Sequence, residues 1–221
     1  MKQIVSLFEE LDISSMANLK KVYENCTKCD LQFTRTCVVM YEGPDKADLM
    51  VIGQSPGATE DNCGVPFMGK AGGRLNAVLS MVRLPRPRIH VSNAVWCRNH
   101  DGRYNLPPKP EHLLACNSRL QKEISLVDPN FIVCLGKEAM QSTLGLGINT
   151  AIGTMRAKGW REIHVAGRLR NVLVSWHPAY ELRHSEEEKR KPAHERNFVV
   201  NKQMADDWRS IAAKVPHLLE R

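Results

Sequence analysis

Four short apolar runs alternate with longer stretches of helical spacing, and this alternation constrains the fold more than any other feature of the chain. The runs are "DLMVIGQ" (48–54), "RIHVSNAV" (88–95), "FIVCLG" (131–136) and "NVLVSWHP" (171–178). Each is rich in Val, Ile or Leu and bounded by turn residues, the pattern of a strand buried on both faces. Between them, "GRLNAVLSMVRL" sets Leu75, Val78, Leu79 and Val82 on one stripe. The stretch "PEHLLACNSRLQKEISLV" opens with Pro110 and Glu111, which suit a helix start. A shorter helix is expected over "GKEAMQSTLG", a first one over "SSMANLKKVYENC" capped by Ser14 or Ser15, and a last one over "NKQMADDWRSIAAKV". Strands alternating with helices predict an α/β domain on a parallel sheet.

Two segments fall outside the alternation. "WREIHVAGRLRNVLVSW" reads as a hairpin turning at Gly167 and leading into the last strand. Arg183–Arg196 is densely charged and reads as a mobile or solvent-facing loop. With 221 residues the chain has material for one core. The expected division is a leading helix and cysteine segment (1–47), an α/β core (48–182) and a trailing loop and helix (183–221) of one domain. In open parallel sheets the binding site lies beyond the carboxyl ends of the strands. Gln54, Asn93 and His177 each follow or end a predicted strand, so residues far apart in sequence are expected to converge there.

Charge narrows the partner. The net charge is +7, and it is unevenly placed. No Asp or Glu occurs from Asn62 to His100, while Lys70, Arg74, Arg83, Arg86, Arg88 and Arg98 do. From Ala139 to Tyr180 the only acid is Glu162, against five Lys or Arg. Such segregation predicts a basic face, suited to a polyanion such as nucleic acid or else simply an inert basic surface. The N-terminal stretch "MKQIVSLFEELD" reaches acids before any long apolar run, so no signal peptide is expected. No segment approaches the length of a membrane span. A cytoplasmic monomer without membrane contact is the expectation.

Seven cysteines make an odd count, which argues against a disulfide framework. "CTKC" places Cys26 and Cys29 at a spacing that lets two thiolates clasp one metal centre from a turn. Cys97 and Cys116 could complete four ligands, the number needed by structural zinc or by a 4Fe–4S cluster, or they could be buried thiols. Cys37, Cys63 and Cys134 read as plain buried thiols, Cys134 from within a core strand.

Seven motifs then occur in a telling order: "CTKC", "TRTCVVMYEG", "KADLMVIGQSPGATED", "GVPFMGKAGG", "VSNAVWC", "AC" and "WHPAYELR". Together they resemble the family-four uracil-DNA glycosylases, the iron–sulfur branch of the uracil-DNA glycosylase superfamily, over roughly Cys26 to Arg183. The resemblance implies a three-layer α/β/α sandwich around a central four-stranded parallel sheet. It implies DNA as partner and a 4Fe–4S cluster, rather than zinc, on Cys26, Cys29, Cys97 and Cys116. Two departures stand out: Gln54 where the family has Glu and Ser55 where it has Ala, and a long polar loop between Cys97 and Cys116. "RPRIH" echoes a basic loop of a related branch, but here it precedes the Asn-bearing strand, so His90 is expected to be an ordinary strand residue.

Base excision requires a flipped base that is stacked and read by its edge. By the resemblance, Phe67 is the stacking ring; otherwise it is a core aromatic. Asn93 offers one donor and one acceptor to the O4 and N3–H of uracil. His177 is placed by the resemblance to donate to the base O2 as negative charge develops. Glu60 is the candidate for orienting water and favouring a cationic sugar, with Asp61 the plainer helix-terminal acid. Gln54 cannot take up a proton and can only position water or the base. Gly53, Ser55 and the backbone N–H groups to Gly57 are expected along the base. Lys70 and Arg74, at a helix start, are expected on phosphate, and Leu182 and Arg183 are expected to enter the minor groove and fill the gap left by the extruded base. The competing expectations are a glycosylase for a bulkier modified pyrimidine, a non-catalytic DNA-binding module, and an electron carrier.

Overall fold

The computed structural model describes residues 13–147 and 149–220; the reading of the first twelve residues as free of a signal peptide lies outside them. The predicted runs form β1 (Leu49–Gly53), β2 (His90–Asn93), β3 (Phe131–Leu135) and β5 (Arg168–Ser175), all mutually parallel where they pair. A fifth strand, β4 (Arg161–Val165), corrects the expected count of four. It runs antiparallel to β5 at the sheet edge, giving the order β2-β1-β3-β5-β4. It is the first arm of the hairpin at Gly167, whose turn places Ala166 and Gly167 at φ of 48° and 84°, as a tight two-residue turn requires. One face of this edge strand meets water, which is why it lacks the apolar run that marks the others.

The strand alternation sorts two cores. Met50, Ile52, Ile132, Cys134, Val172 and Val174 face α1 (Met16–Tyr23), α4 (Pro110–Val127) and α5 (Lys137–Leu144) through Leu19, Leu120, Ile124 and Met140. Leu49, Val51, Val133, Leu135 and Leu173 face α3 (Lys70–Met81) and α8 (Val199–Lys214) through Leu75, Val78, Met204, Trp208 and Ile211. Helices therefore cover both faces, as the sandwich requires. Ser15, not Ser14, caps α1, its Oγ accepting from the Asn18 N–H at 3.1 Å. Two short helices, α2 (Ala58–Cys63) and α6 (Ile152–Ala157), complete the layers together with α7 (Pro178–Arg190). No helix among the described residues is long and apolar enough to cross a membrane.

Helix α7 overturns the expected loop after Arg183. Its buried stripe is polar: Glu181, Ser185 and Glu188, at spacings of four and three, all face inward. Arg74 and Asn201 donate to Glu181, Ser185 donates to Asn201, and the Asn197 N–H donates to Glu188 at 2.6 Å. Satisfied polar groups thus stand where an apolar stripe would be sought. Of the expected loop, residues 189–196 run exposed, and the exposed run continues to Val199. Two of the three remaining thiols also depart from expectation: Cys134 is fully buried, but Cys37 is half-buried and Cys63 exposed.

Candidate functional site

The register pairs Gly53 with Asn93 and Leu135 with Ser175, so the parallel strands end near one rim. A cavity of about 1030 Å³ opens there. Gln54 and Ser55 line it from the loop after β1, Glu60 from α2, Phe67 from the following loop and Asn93 from the end of β2. His177, Lys70 and Arg183 line it from the start of α7, the start of α3 and the second turn of α7. Residues predicted from separate motifs therefore share one chamber.

Close packing fixes its floor. A side chain at Gly53 would place its Cβ 2.4 Å from both the Phe67 ring and the Asn93 Oδ1, so only glycine lets these two groups approach β1. Phe67 is buried to 5 % exposure with φ of 55°, a left-handed backbone that bulky residues rarely adopt. Its loop is held by Arg86, which donates to the carbonyls of Pro66 at 2.7 Å and Phe67 at 3.2 Å and pairs with Glu42. The Phe67 and His177 rings lie 6.0 Å apart at 27°.

Glu60 is buried, and both its oxygens are engaged: Oε2 accepts from Gly57 N–H at 2.9 Å, and Oε1 from Met68 at 2.9 Å and Gly69 at 2.7 Å. It therefore ties the loop after β1 to the loop carrying Phe67, and one lone pair of Oε2 remains unused. Asp61, at 1 % exposure, reaches the other way and accepts from Thr36 N–H at 3.0 Å. Its role is to hold the segment leading to Cys37, beyond that of a helix-terminal acid. The side chains of Gln54 and Asn93 make no hydrogen bond among the described residues, leaving both amides to the chamber.

His177 caps α7: its Nδ1 accepts from the Ala179 N–H at 3.1 Å. In the neutral ring the proton consequently sits on Nε2. Burial, and then the nearby Arg183, push its pKa down to about 4, so the neutral ring prevails at ordinary pH. Gly136, at φ 95°, leaves room for the ring, since a Cβ there would lie 3.2 Å from that of His177.

The cations divide. Lys70 and Arg183 are exposed at the chamber, and Leu182 beside them is half-buried. Arg74 is not among the lining residues: its Nε donates to the buried Glu181 at 2.8 Å, which ties α3 to α7. A buried carboxylate claims the nearest guanidinium before any external anion can. His90, fully buried within β2, is the structural strand residue expected.

The four candidate thiols also meet. Cys97 packs with Cys29 and Cys116 among Leu31, Val95, Val38 and Leu113. Cys26, Cys29 and Cys116 are close enough for charge on one to disfavour charge on another, and burial pushes the Cys97 thiol up to about 12. Arg35 donates to Cys97 Sγ at 3.3 Å and to the Cys26 carbonyl at 2.6 Å, adding positive charge. Among the described residues no three His, Cys, Asp or Glu side chains converge closely enough to hold a single metal ion. The donor set nonetheless fits a thiolate-ligated centre wider than one ion: four soft donors in a mostly apolar corner beside one guanidinium.

Residues 40–200 match the Uracil DNA glycosylase superfamily. The chain belongs to it. Among curated relatives, the Type-4 uracil-DNA glycosylase of Archaeoglobus fulgidus is 33 % identical over 168 residues, covering 76 % of this chain and 83 % of that protein. The Type-4 uracil-DNA glycosylases of Pyrobaculum aerophilum and Thermotoga maritima are each 32 % identical over 170 residues, with 76 % of this chain and 85 % and 83 % of theirs covered.

This superfamily member also lines its chamber with residues that sequence reasoning passed over. Trp176 and Tyr180 flank His177, their rings 5.1 Å apart, and both lay within the quoted "WHPAYELR" motif. Asn105, Leu106 and Pro107 enter from the long loop after Cys97. That loop is folded back by an Asp101 turn and a bridge between His100 and Asn105, a contact that no short-range signal announces.

Proposed function

We propose that this protein removes uracil from DNA by hydrolysing the bond between base and deoxyribose, leaving an abasic site. The observation that carries the reading is the meeting of Phe67, Asn93 and His177 in one chamber with exposed cations at its wall. Its relatives' names point the same way.

A base swung out of the duplex lies against the Phe67 ring, which its backbone and Arg86 hold in place. The Asn93 carboxamide donates to O4 and accepts from N3–H, a pattern that cytosine mismatches. As the bond stretches, charge builds on the departing base. The neutral His177, its proton on Nε2, donates to O2 and spreads that charge without first losing a proton. Backbone N–H groups from Ser55 to Gly57 add to the same field. Glu60 keeps one lone pair for water while its charge favours the cationic sugar, and Gln54 orients that water, since an amide cannot deprotonate it. Lys70 and Arg183 hold phosphate. Cys26, Cys29, Cys97 and Cys116 hold a 4Fe–4S cluster, which when bound supplies a cross-link among three chain segments rather than redox chemistry in the reaction.

A second reading, a bulkier modified pyrimidine, draws on the roomy chamber and on Gln54. Protein purified without air, incubated with oligonucleotides carrying uracil or modified cytosines, separates the two by the free base released. Release of uracil alone is expected; release of a modified pyrimidine in preference favours the second reading, and no release from any substrate removes both.

A further inference from the structure

Behind Asn93 lies a charged cluster whose side chains do not line the chamber. Arg119, on α4, is 1 % exposed. Its Nη2 donates to two successive carbonyls, Asn93 at 2.8 Å and Ala94 at 2.6 Å. Its Nη1 donates to Glu123, itself fully buried, and its plane lies 4.2 Å over the Trp96 ring. Glu123 in turn meets His90 Nε2 at 3.0 Å, while His90 Nδ1 meets the Pro44 carbonyl at 2.9 Å.

We propose that Arg119 is a positioning residue for base recognition: it draws the carbonyls of Asn93 and Ala94 inward and so fixes the Asn93 carboxamide toward the flipped base. This rests on the reading of Asn93 given above.

The chain leaves β2 at Asn93, where ladder bonding to β1 stops after the Ala94 and Val95 N–H groups reach Gly53 and Gln54. Past that point nothing in the sheet claims the carbonyls of Asn93 and Ala94. Buried carbonyls without partners would turn toward any donor, including the chamber. A single guanidinium nitrogen satisfies both, because the two N–H bonds of Nη2 diverge in the guanidinium plane and leave one for each carbonyl. Glu123 holds the other arm, so rotation of the guanidinium would cost a buried carboxylate its arginine partner. With both carbonyls held on the α4 side, the Asn93 side chain is left over Gly53, where its Oδ1 sits. Asn93 is thereby set before DNA arrives, which is what reading a base edge by paired hydrogen bonds requires.

The test compares binding of two duplexes by the full chain: one bearing a non-cleavable 2′-fluoro-deoxyuridine, the other a tetrahydrofuran abasic analogue. Arg119→Met is expected to weaken binding of the uracil duplex about tenfold or more and of the abasic duplex less than about twofold, a split that loosened packing alone would not produce. Should Arg119→Met fail to fold, Arg119→Lys carries the test. An ammonium carries its three N–H groups on one atom and lacks the planar spacing that spans both carbonyls and Glu123, so a smaller split of about threefold is expected. Equal weakening on both duplexes, or none on either, overturns the proposal. Asn93→Ala separates the two failures. If it loses the uracil preference while the Arg119 variants keep it, positioning by Arg119 is wrong and base reading by Asn93 stands. If Asn93→Ala also keeps the preference, both fall.

Discussion

The chamber and the thiol corner are joined by only three residues between Asn93 and Cys97, yet they are finished in opposite ways. In the chamber, the chain completes its own architecture. Glu60 takes three backbone N–H groups, Arg86 two carbonyls, His177 a helix-terminal N–H, and Gly53 clears the space in which Phe67 and Asn93 meet. What is left unpaired there, the amides of Gln54 and Asn93, faces the cavity. In the corner, four thiols gather with one guanidinium and with Asp30 beside Cys29, and on the proposed reading an iron–sulfur cluster completes them. Preformed polar geometry belongs to chemistry; a set of soft donors belongs to stapling.

Variants can break this contrast. The largest effect is expected from His177→Ala: kcat for uracil release falls by about 10²–10³-fold, as for loss of a charge-stabilising donor, while the lost cap of α7 lowers stability by only about 0.5–2 kcal/mol. Single-turnover base release beside a thermal melt measures both. Gly53→Ala forces the Phe67 ring and Asn93 aside, and misplacement of that order costs about 10²-fold in kcat/KM, against about 1–3 kcal/mol of stability. Equal activity in this variant would mean that the floor of the chamber is not preset. Cys29→Ser should do the reverse. It abolishes visible iron–sulfur absorption and lowers stability by about 2–5 kcal/mol, the range for a lost covalent staple, with base release per folded molecule largely kept. A large loss of turnover in folded Cys29→Ser protein would erase the distinction between the two regions.

Smaller effects sharpen it. Lys70→Gln and Arg183→Gln should each reduce the slope of log affinity against log salt by about 1, read by titration with duplex DNA. Arg74→Gln should leave the slope unchanged but strip the buried Glu181 of a partner, at a cost of about 1–3 kcal/mol in denaturant unfolding. Finally, kcat should show no inflection from His177 near pH 6.5 and should lose activity only as pH falls through about 4, where the ring protonates and its Nδ1 can no longer accept from Ala179. The linkage has the matching sign: the folded pKa is depressed, so the stabilisation is full above the unfolded value and lost as pH falls through about 4. Arg183→Gln removes one depressing charge and should move that limb upward in pH.

Most of the sheet was legible because buried parallel strands are apolar on both faces, and α4 was legible from end to end because Pro110 marks its start. The chief miss has a physical cause: helix α7 hides its inward face from a search for apolar periodicity. Helix α7 buries Glu181, Ser185 and Glu188, whose partners lie on α3, on α8 and in the segment between α7 and α8. The hairpin at Gly167 was legible; its first arm, β4, was left out of the strand count because it buries little and owes its place in the sheet to pairing with β5. The candidate site was legible where a residue terminates a strand, as with Asn93, or sits in a motif, as with His177. It was not legible where one acid competes for a cation, as Glu181 does for Arg74. Nor could spacing reveal Arg119, since a guanidinium that serves backbone carbonyls leaves no pattern in the letters around it.

The left-handed backbone at Phe67 has a kinetic corollary. A phenyl ring mounted on a conformation that phenylalanine avoids, and clasped there by a distant arginine, is set when the protein folds and stays set between encounters. On the proposed reading of Phe67, capture of an extruded nucleotide needs no closing movement from this wall, and its speed would be set by how readily the helix of DNA lets the nucleotide go. Weakly paired or unstacked sites would accordingly be found first.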